Sequence, residues 1–326
     1  MYKNENTVTL VTTASPLDQN LALNAYEVVG TETLASIHEG YINVIPLLNL
    51  DRRCRYVSLC NGSDRGKGLV KQIKWLKVGE EVIFAVASTV GLQIYDVEVY
   101  DLKFSHTCEA FRSVPDFVNG LCVVEENLLC VGTSLGTVSL FQYTEQFNFS
   151  LIEYFRAHDE PIILLDGKGK YLISCSSKAI FLWFKDKRFE ILRQIYVDGL
   201  SSTPTVLKVT PYLVLVGYES GEFCVFDLVD WSYVVRTVAH KLKISGIDFC
   251  TLSQLILTGS EDAYIKLWTF HDCESEASCV FSVMSEHGPL CGVGFLNDSG
   301  TKFCVVSTNS IKINVYIKDT DLNVNV

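Results

Sequence analysis

Apolar residues along this chain come in short runs, some alternating with polar residues at period two and some filled outright, separated by clusters of Gly, Ser, Thr, Asn and Asp. That pattern predicts strands rather than helices, because successive side chains of a strand point to opposite faces. The clearest unit is Leu255-Ile-Leu-Thr-Gly-Ser-Glu-Asp-Ala-Tyr-Ile-Lys-Leu-Trp268, an apolar strand, a tight turn carrying Asp262, and an alternating strand that ends in Trp. Related units run from Val82 to Tyr95, Leu128 to Phe141, Tyr171 to Trp183, Leu213 to Phe226 and Phe303 to Tyr316. Their terminal aromatics are spaced by 46, 42, 43, 42 and 48 residues, so the chain is an internal repeat.

Each unit is preceded by another apolar strand: Val70 to Trp75, Val118 to Val123, Ile162 to Asp166, Thr205 to Val209, Ile244 to Cys250 and Leu290 to Phe295. A fourth strand follows it, as in Glu190 to Val197, Tyr233 to Ala239 or Cys279 to Ser285. Four short strands per period of about 40 to 45 residues are the signature of a β-propeller blade. Residues 70–317 thus predict six clear blades, and residues 21–60 a degenerate first blade with strands near Leu21 to Val28, Thr33 to His38, Tyr41 to Pro46 and Arg55 to Leu59. The last blade lacks an outer strand of its own. The β-branched run 7–13 is expected to supply it, which makes residues 1–326 one all-β, seven-bladed domain closed by its two ends.

Composition narrows the function. The chain has 326 residues, 48% hydrophobic and 20% charged, with a net charge of -11 that opposes general binding to a nucleic-acid backbone. Its apolar runs fall short of the 18 or so residues a membrane span needs, and its start is too polar for a secretory signal. The 12 cysteines mostly sit inside apolar strands, at Cys122, Cys130, Cys175, Cys224, Cys250, Cys291 and Cys304. Reduced, buried thiols in a cytoplasmic or nuclear protein are therefore expected. His271, Cys273, Cys279, His287 and Cys291 lie near one another in sequence but lack the tight paired spacing of zinc ligands, so neither metal nor cofactor is expected.

Ala239-His240, then Thr258-Gly-Ser-Glu-Asp262, then Leu267-Trp268 together resemble a complete WD repeat. The resemblance implies a WD40-type propeller and a buried network joining His240, Thr258 or Ser260, Asp262 and Trp268. Other copies depart from it: His158 and Trp183 remain in the fourth blade while Ser177-Lys178 replaces the turn Asp, and His287 in the seventh blade has neither Asp nor Trp. The chain is also similar to the WD repeat-containing protein 54 family through Gln72-Ile-Lys-Trp75, Gly91-Leu-Gln-Ile-Tyr95, Cys130-Val-Gly-Thr133, Gly217-Tyr218, Gly221, Ala239-His240, Glu261-Asp262, Leu290-Cys-Gly292 and Asp298-Ser-Gly300. That similarity implies a non-enzymatic, intracellular propeller that scaffolds other proteins, and it carries over no catalytic residues.

Enzymatic motifs are weak. Asn61-Gly-Ser-Asp-Arg-Gly-Lys-Gly68 lacks the first Gly and the final hydroxyl of a phosphate-binding loop and reads as a blade connection. The six His are spread over separate blades. Two features point to binding. Residues 52–74 carry Arg52, Arg53, Arg55, Arg65, Lys67, Lys71 and Lys74, a basic run suited to an acidic segment. Aromatic residues stand at predicted turns, where exposed rings anchor protein interfaces: Phe117, Tyr218 and Trp231. On the face built from outer-to-inner links and within-blade turns, Tyr218, Phe117, His158, Lys241, Lys243, Arg65 and Lys67 are candidate interaction residues, with Trp231 on the opposite face. The expected function is a non-catalytic scaffold, monomeric on its own, that binds proteins or peptides on its faces. The alternative is an enzyme or small-ligand binder using the central channel.

Overall fold

The second strand of each repeat is apolar on both faces, so it needs a neighbouring sheet on both sides. A ring of radially stacked sheets supplies that cover. The computed structural model describes residues 1–24, 26, 33–46, 55–58, 68–107, 116–196, 202–270 and 276–319. Within them, 28 strands form seven four-stranded antiparallel sheets, the blades of a β-propeller.

The first blade holds β2 (Ala22–Asn24), β3 (Thr33–His38), β4 (Tyr41–Pro46) and β5 (Arg55–Ser58); the second holds β6 (Val70–Val78), β7 (Glu81–Ser88), β8 (Gly91–Tyr95) and β9 (Leu102–His106). The third comprises β10 (Val118–Val124), β11 (Leu128–Thr133), β12 (Thr137–Tyr143) and β13 (Phe149–Arg156), and the fourth β14 (Leu164–Lys168), β15 (Tyr171–Cys175), β16 (Ala179–Lys185) and β17 (Phe189–Tyr196). The fifth contains β18 (Pro204–Val209), β19 (Leu213–Tyr218), β20 (Glu222–Asp227) and β21 (Tyr233–Val238). The sixth contains β22 (Ile244–Cys250), β23 (Leu255–Ser260), β24 (Tyr264–Thr269) and β25 (Ser278–Met284), and the seventh β26 (Leu290–Phe295), β27 (Lys302–Ser307) and β28 (Lys312–Lys318).

β1 (Tyr2–Thr9) completes the seventh blade, pairing antiparallel with β28 from Tyr2↔Lys318 to Thr9↔Lys312. The closing strand thus begins before the run 7–13 and ends inside it. Beyond Leu10 the chain turns away because Asn43 Oδ1 captures the amides of Val11 and Thr12, both at 3.2 Å, and Ser15 N donates to Ile37 O at 2.8 Å. The polar character of Lys3-Asn-Glu-Asn6 does not prevent strand formation, since an outer strand leaves its side chains in solvent.

Burial follows position within the blade. Seven of the eight residues of β7 are buried, whereas only one of the eight in β13 is. The core consists of seven apolar clusters, one between each pair of adjacent blades, and the cluster joining Val8, Leu10, Cys304 and Ile313 to Leu34 and Ile45 seals the seventh blade to the first. In blades two to six the terminal aromatic of the third strand marks a register shift against the outer strand, at Tyr95, Phe141, Trp183, Phe226 and Trp268. The aromatic that ends each repeat therefore sits where a bulge re-aims the outer strand. Turns between second and third strands, and links from outer to next inner strand, emerge on one face, here called upper; the remaining turns form the lower face.

Candidate functional site

The sixth blade brings the predicted polar residues together. Its entry link is held by the backbone first, with Ala239 N and His240 N donating to Gly221 O of the fifth blade at 3.0 and 2.9 Å. The His240 ring then points into the sixth blade, with Nδ1 3.1 Å from Asp262 Oδ1 and Nε2 2.8 Å from Thr258 Oγ1, while Trp268 Nε1 donates to that same oxygen at 2.9 Å. Burial pushes the His240 pKa down to about 4, with Asp262 partly offsetting it. The ring is therefore neutral at pH 7: Nδ1–H donates to the carboxylate, and the Thr258 hydroxyl donates to Nε2 while accepting from the indole. Burial of Asp262 is outweighed by the amides of Tyr264 and Lys241 and by His240, which hold its carboxyl below the usual value. Ser260 stands beside this network, donating to Leu242 O at 3.1 Å and accepting from Asp262 N at 3.1 Å.

The fourth blade repeats the arrangement without the acid. His158 Nε2 lies 2.7 Å from Ser174 Oγ, and Trp183 Nε1 donates to that oxygen at 2.9 Å. Its turn is one residue shorter between hydroxyl and Trp than in the sixth blade, which leaves no position for the Asp. Lys178 instead reaches Glu160 at 2.5 Å. His158 is 5% exposed and stacks on Phe181 with ring centroids 4.4 Å apart, so it belongs to the blade interior and is not an upper-face contact residue.

Two further expectations are corrected in the same way. Tyr218 is only 1% exposed and packs with Val214, Val216 and Cys224 in the cluster between the fourth and fifth blades. It ends β19 with its ring turned inward, and burial holds its phenol protonated. Trp231 is 8% exposed, because its left-handed backbone (φ 62°) folds the indole over Phe226, with ring centroids 4.9 Å apart and planes 9° from parallel. Phe117 is half-buried on the upper face, with the Lys71 ammonium 5.4 Å from its ring centroid. Lys241 is exposed, and Lys243 is clasped between Asp18 and Glu261 at 3.1 Å each. Arg65 and Lys67 lie outside the described residues, as do Arg52 and Arg53. The run 52–74 is not one patch in its described part, since Lys74 turns into the channel.

The channel, about 1310 Å³, is walled by the inner strands. Its polar side chains include Lys74, Asp166, Lys208 and Asp248. Lys74 Nζ meets Asp166 Oδ1 at 2.8 Å and Lys208 Nζ meets Asp248 Oδ1 at 2.7 Å. The second oxygens accept backbone amides of the next wall, Val209 N to Asp166 Oδ2 and Phe295 N to Asp248 Oδ2, both at 2.8 Å. Asp248 is the main cause that raises the Lys208 pKa, so the ammonium keeps its charge. Sequence reasoning placed Lys74 only in a basic run and missed Asp166, Lys208 and Asp248, although the lone charge inside otherwise apolar β18 and β22 was a usable signal. Among the described residues, no group of three or more His, Cys, Asp or Glu side chains is placed to hold a metal ion, and no helix is long and apolar enough to cross a membrane.

Seven radially packed blades, one with a complete His–Thr–Asp–Trp network, define a WD-repeat β-propeller. The WDR54 family model matches residues 1–320, and the chain belongs to that family. It is 23% identical to WD repeat-containing protein 54 of Mus musculus and 22% identical to that of Homo sapiens, with 96% of this chain and 98% of each relative covered. A chain in the crystal structure of the mitotic checkpoint complex superposes with a TM-score of 0.78 at 13% identity, covering 98% of this chain and 94% of the other. At that identity the match speaks for the fold alone.

Proposed function

We propose that the protein is a non-catalytic scaffold, located in the cytoplasm or nucleus, that binds other proteins or peptides on its propeller faces. The observation that carries this reading is the mutual neutralisation of the groups that could do chemistry. His240 and His158 are buried inside blade networks, and in the channel Lys74 with Asp166 and Lys208 with Asp248 are bound to one another and to backbone amides. A catalytic base or nucleophile must instead reach a substrate in a suitable protonation state. Family membership supports the same reading, and the eight described free thiols, seven of them buried, support a reducing compartment. On the upper face Lys241 and Phe117 remain available to a partner.

The test is native purification of the tagged chain with mass spectrometry, followed by reconstitution with each partner recovered in stoichiometric amount. Direct binding by the purified chain is the expected result. A small molecule retained by the chain in native mass spectrometry and released by Asp166→Asn with Asp248→Asn would overturn the reading in favour of a channel ligand.

A further inference from the structure

Two lower-face turns of the fourth blade end side by side. Lys185 N donates to Lys170 O at 2.8 Å, which joins the β16–β17 turn to the β14–β15 turn. Together they present Lys168, Lys170, Lys185, Lys187 and Arg188 against Asp186, five cations to one carboxylate in a chain of net charge -11. Lys185 serves the turn itself, its Nζ donating to Asp186 O at 3.1 Å and Lys187 O at 2.9 Å. Lys168, Lys170, Lys187 and Arg188 are exposed. Elsewhere Lys74, Lys77, Lys103, Lys178, Lys208 and Lys243 each meet a carboxylate. Among the described residues these four form no such pair. Holding four unpaired cations close together costs repulsion, and a bound anion would relieve it.

The surroundings restrict what that anion can be. The lower turns of the third blade expose Glu125, Glu126 and Glu145, and those of the fifth expose Asp230, with Asp227 half-buried beside it. The basic surface is therefore one blade wide with acidic flanks. An extended polyanion such as nucleic acid or an anionic membrane would meet those carboxylates, whereas a short segment would not. Half-buried aromatics lie under the lysine stems, with Lys170 Nζ 5.9 Å from the Phe184 ring centroid, Lys185 Nζ 6.0 Å from that of Phe189, and Tyr171 against Phe184 at 5.3 Å. They offer apolar footing to a side chain next to the carboxylates.

We propose that the lower face of the fourth blade is a docking site for a short acidic segment of a partner protein, a site that rests on the scaffold role and gives one partner its chemistry. Charge pairing of this exposed kind contributes mainly to association rate and selectivity, so binding should be salt-sensitive.

The probe is a fluorescein-labelled octaglutamate peptide, measured by anisotropy on the full chain and on two variants of unchanged melting temperature, Lys170→Glu with Lys187→Glu, and Lys312→Glu at the exposed upper turn of the seventh blade. The expected result is salt-sensitive binding that weakens about tenfold in the lower-face double variant and is unchanged in Lys312→Glu. No binding, or equal loss in both variants, overturns the proposal. Tighter binding of a single-stranded oligonucleotide or of phosphatidylserine vesicles by the same surface overturns it in favour of those polyanions. Partners that survive purification with the lower-face variant, after the peptide has failed, sink this site alone; a wild-type chain that yields no stoichiometric partner sinks the scaffold reading.

Discussion

Lys74 Nζ lies 2.8 Å from Asp166 Oδ1, although the two residues belong to the second and fourth blades. The ion pair passes the inner strand of the third blade, which sits close against the fourth at Gly120, where an added Cβ would lie 2.5 Å from the Leu165 Cβ. Asp166 also takes the Val209 amide of the fifth blade, and Asp248 joins Lys208 of the fifth to Phe295 N of the seventh. Two carboxylates thus link five blades across the channel. Each is 16% exposed or less, so water screens these contacts only in part.

Asp166→Asn keeps the shape and removes the charge from two charge-assisted contacts. A loss of about 1.5 to 3 kcal/mol in urea unfolding is expected. Combined with Lys74→Met, the total should fall short of the sum by about 0.5 to 2 kcal/mol, because both changes break the same contact. Strictly additive losses would show that the pair contributes nothing across the channel.

The upper turns supply a paired test. Gly221 has φ 82°, and a Cβ there would lie 2.2 Å from His240 O, so Gly221→Ala meets both a left-handed backbone and a carbonyl that cannot retreat. The sixth blade has Ala263 at φ 67° in the corresponding turn, where Ser285 N donates to its carbonyl as Ala239 N does to Gly221. Ala263→Gly should raise stability by roughly 0.5 to 1 kcal/mol through relief of left-handed strain, whereas Gly221→Ala should lower it by more than about 2 kcal/mol. The same sign for both in denaturant titration would remove the backbone explanation.

Removal of residues 1–10 should open the ring. Tyr2 packs between Phe281 and Phe303 at 5.2 and 5.3 Å and donates its hydroxyl to Gly300 O at 2.7 Å, while Val8 and Leu10 are 5% and 4% exposed. The truncated chain would present β28 as an unpaired edge. Size-exclusion chromatography is expected to show aggregates, and a monomer with unchanged melting would mean that the ring closes without β1.

The fold was legible because its signal is one of period. Apolar middle strands, an aromatic every 42 to 48 residues and a turn between them can be read without any long-range contact. The sixth-blade network was legible too, since His240, Thr258, Asp262 and Trp268 keep the spacing that brings them together. Side-chain direction at turns was not. Tyr218 and Trp231 look exposed in sequence, but the first ends a strand with its ring between blades and the second is turned inward by a positive φ. The channel pairs were hidden for a different reason: Lys74 and Asp166 are 92 residues apart, and only ring closure makes them neighbours. The fourth-blade cations come from two turns that their own blade folds side by side.

Acid should weaken the protein through its two blade histidines. Burial lowers the pKa of both His158 and His240 to about 4, from the ordinary 6.5. Between those values the unfolded chain binds more protons than the folded one, so the stability is full above about pH 6.5 and is lost as pH falls towards 4. At about 1.4 kcal/mol per pKa unit, each histidine should cost about 2 kcal/mol between pH 7 and 5. Asp262 adds nothing in that window, because its lowered pKa lies below the ordinary 3.8 and its own contribution is lost only under about pH 4. His158→Gln should lower stability at pH 7 by removing the bond to Ser174, yet it should also flatten the decline towards pH 5 by roughly half. Urea unfolding at pH 7, 6 and 5 on both chains separates these effects. A wild-type slope no steeper than that of the variant would mean that His158 titrates freely, which a ring stacked on Phe181 and bonded to Ser174 at 2.7 Å should not do.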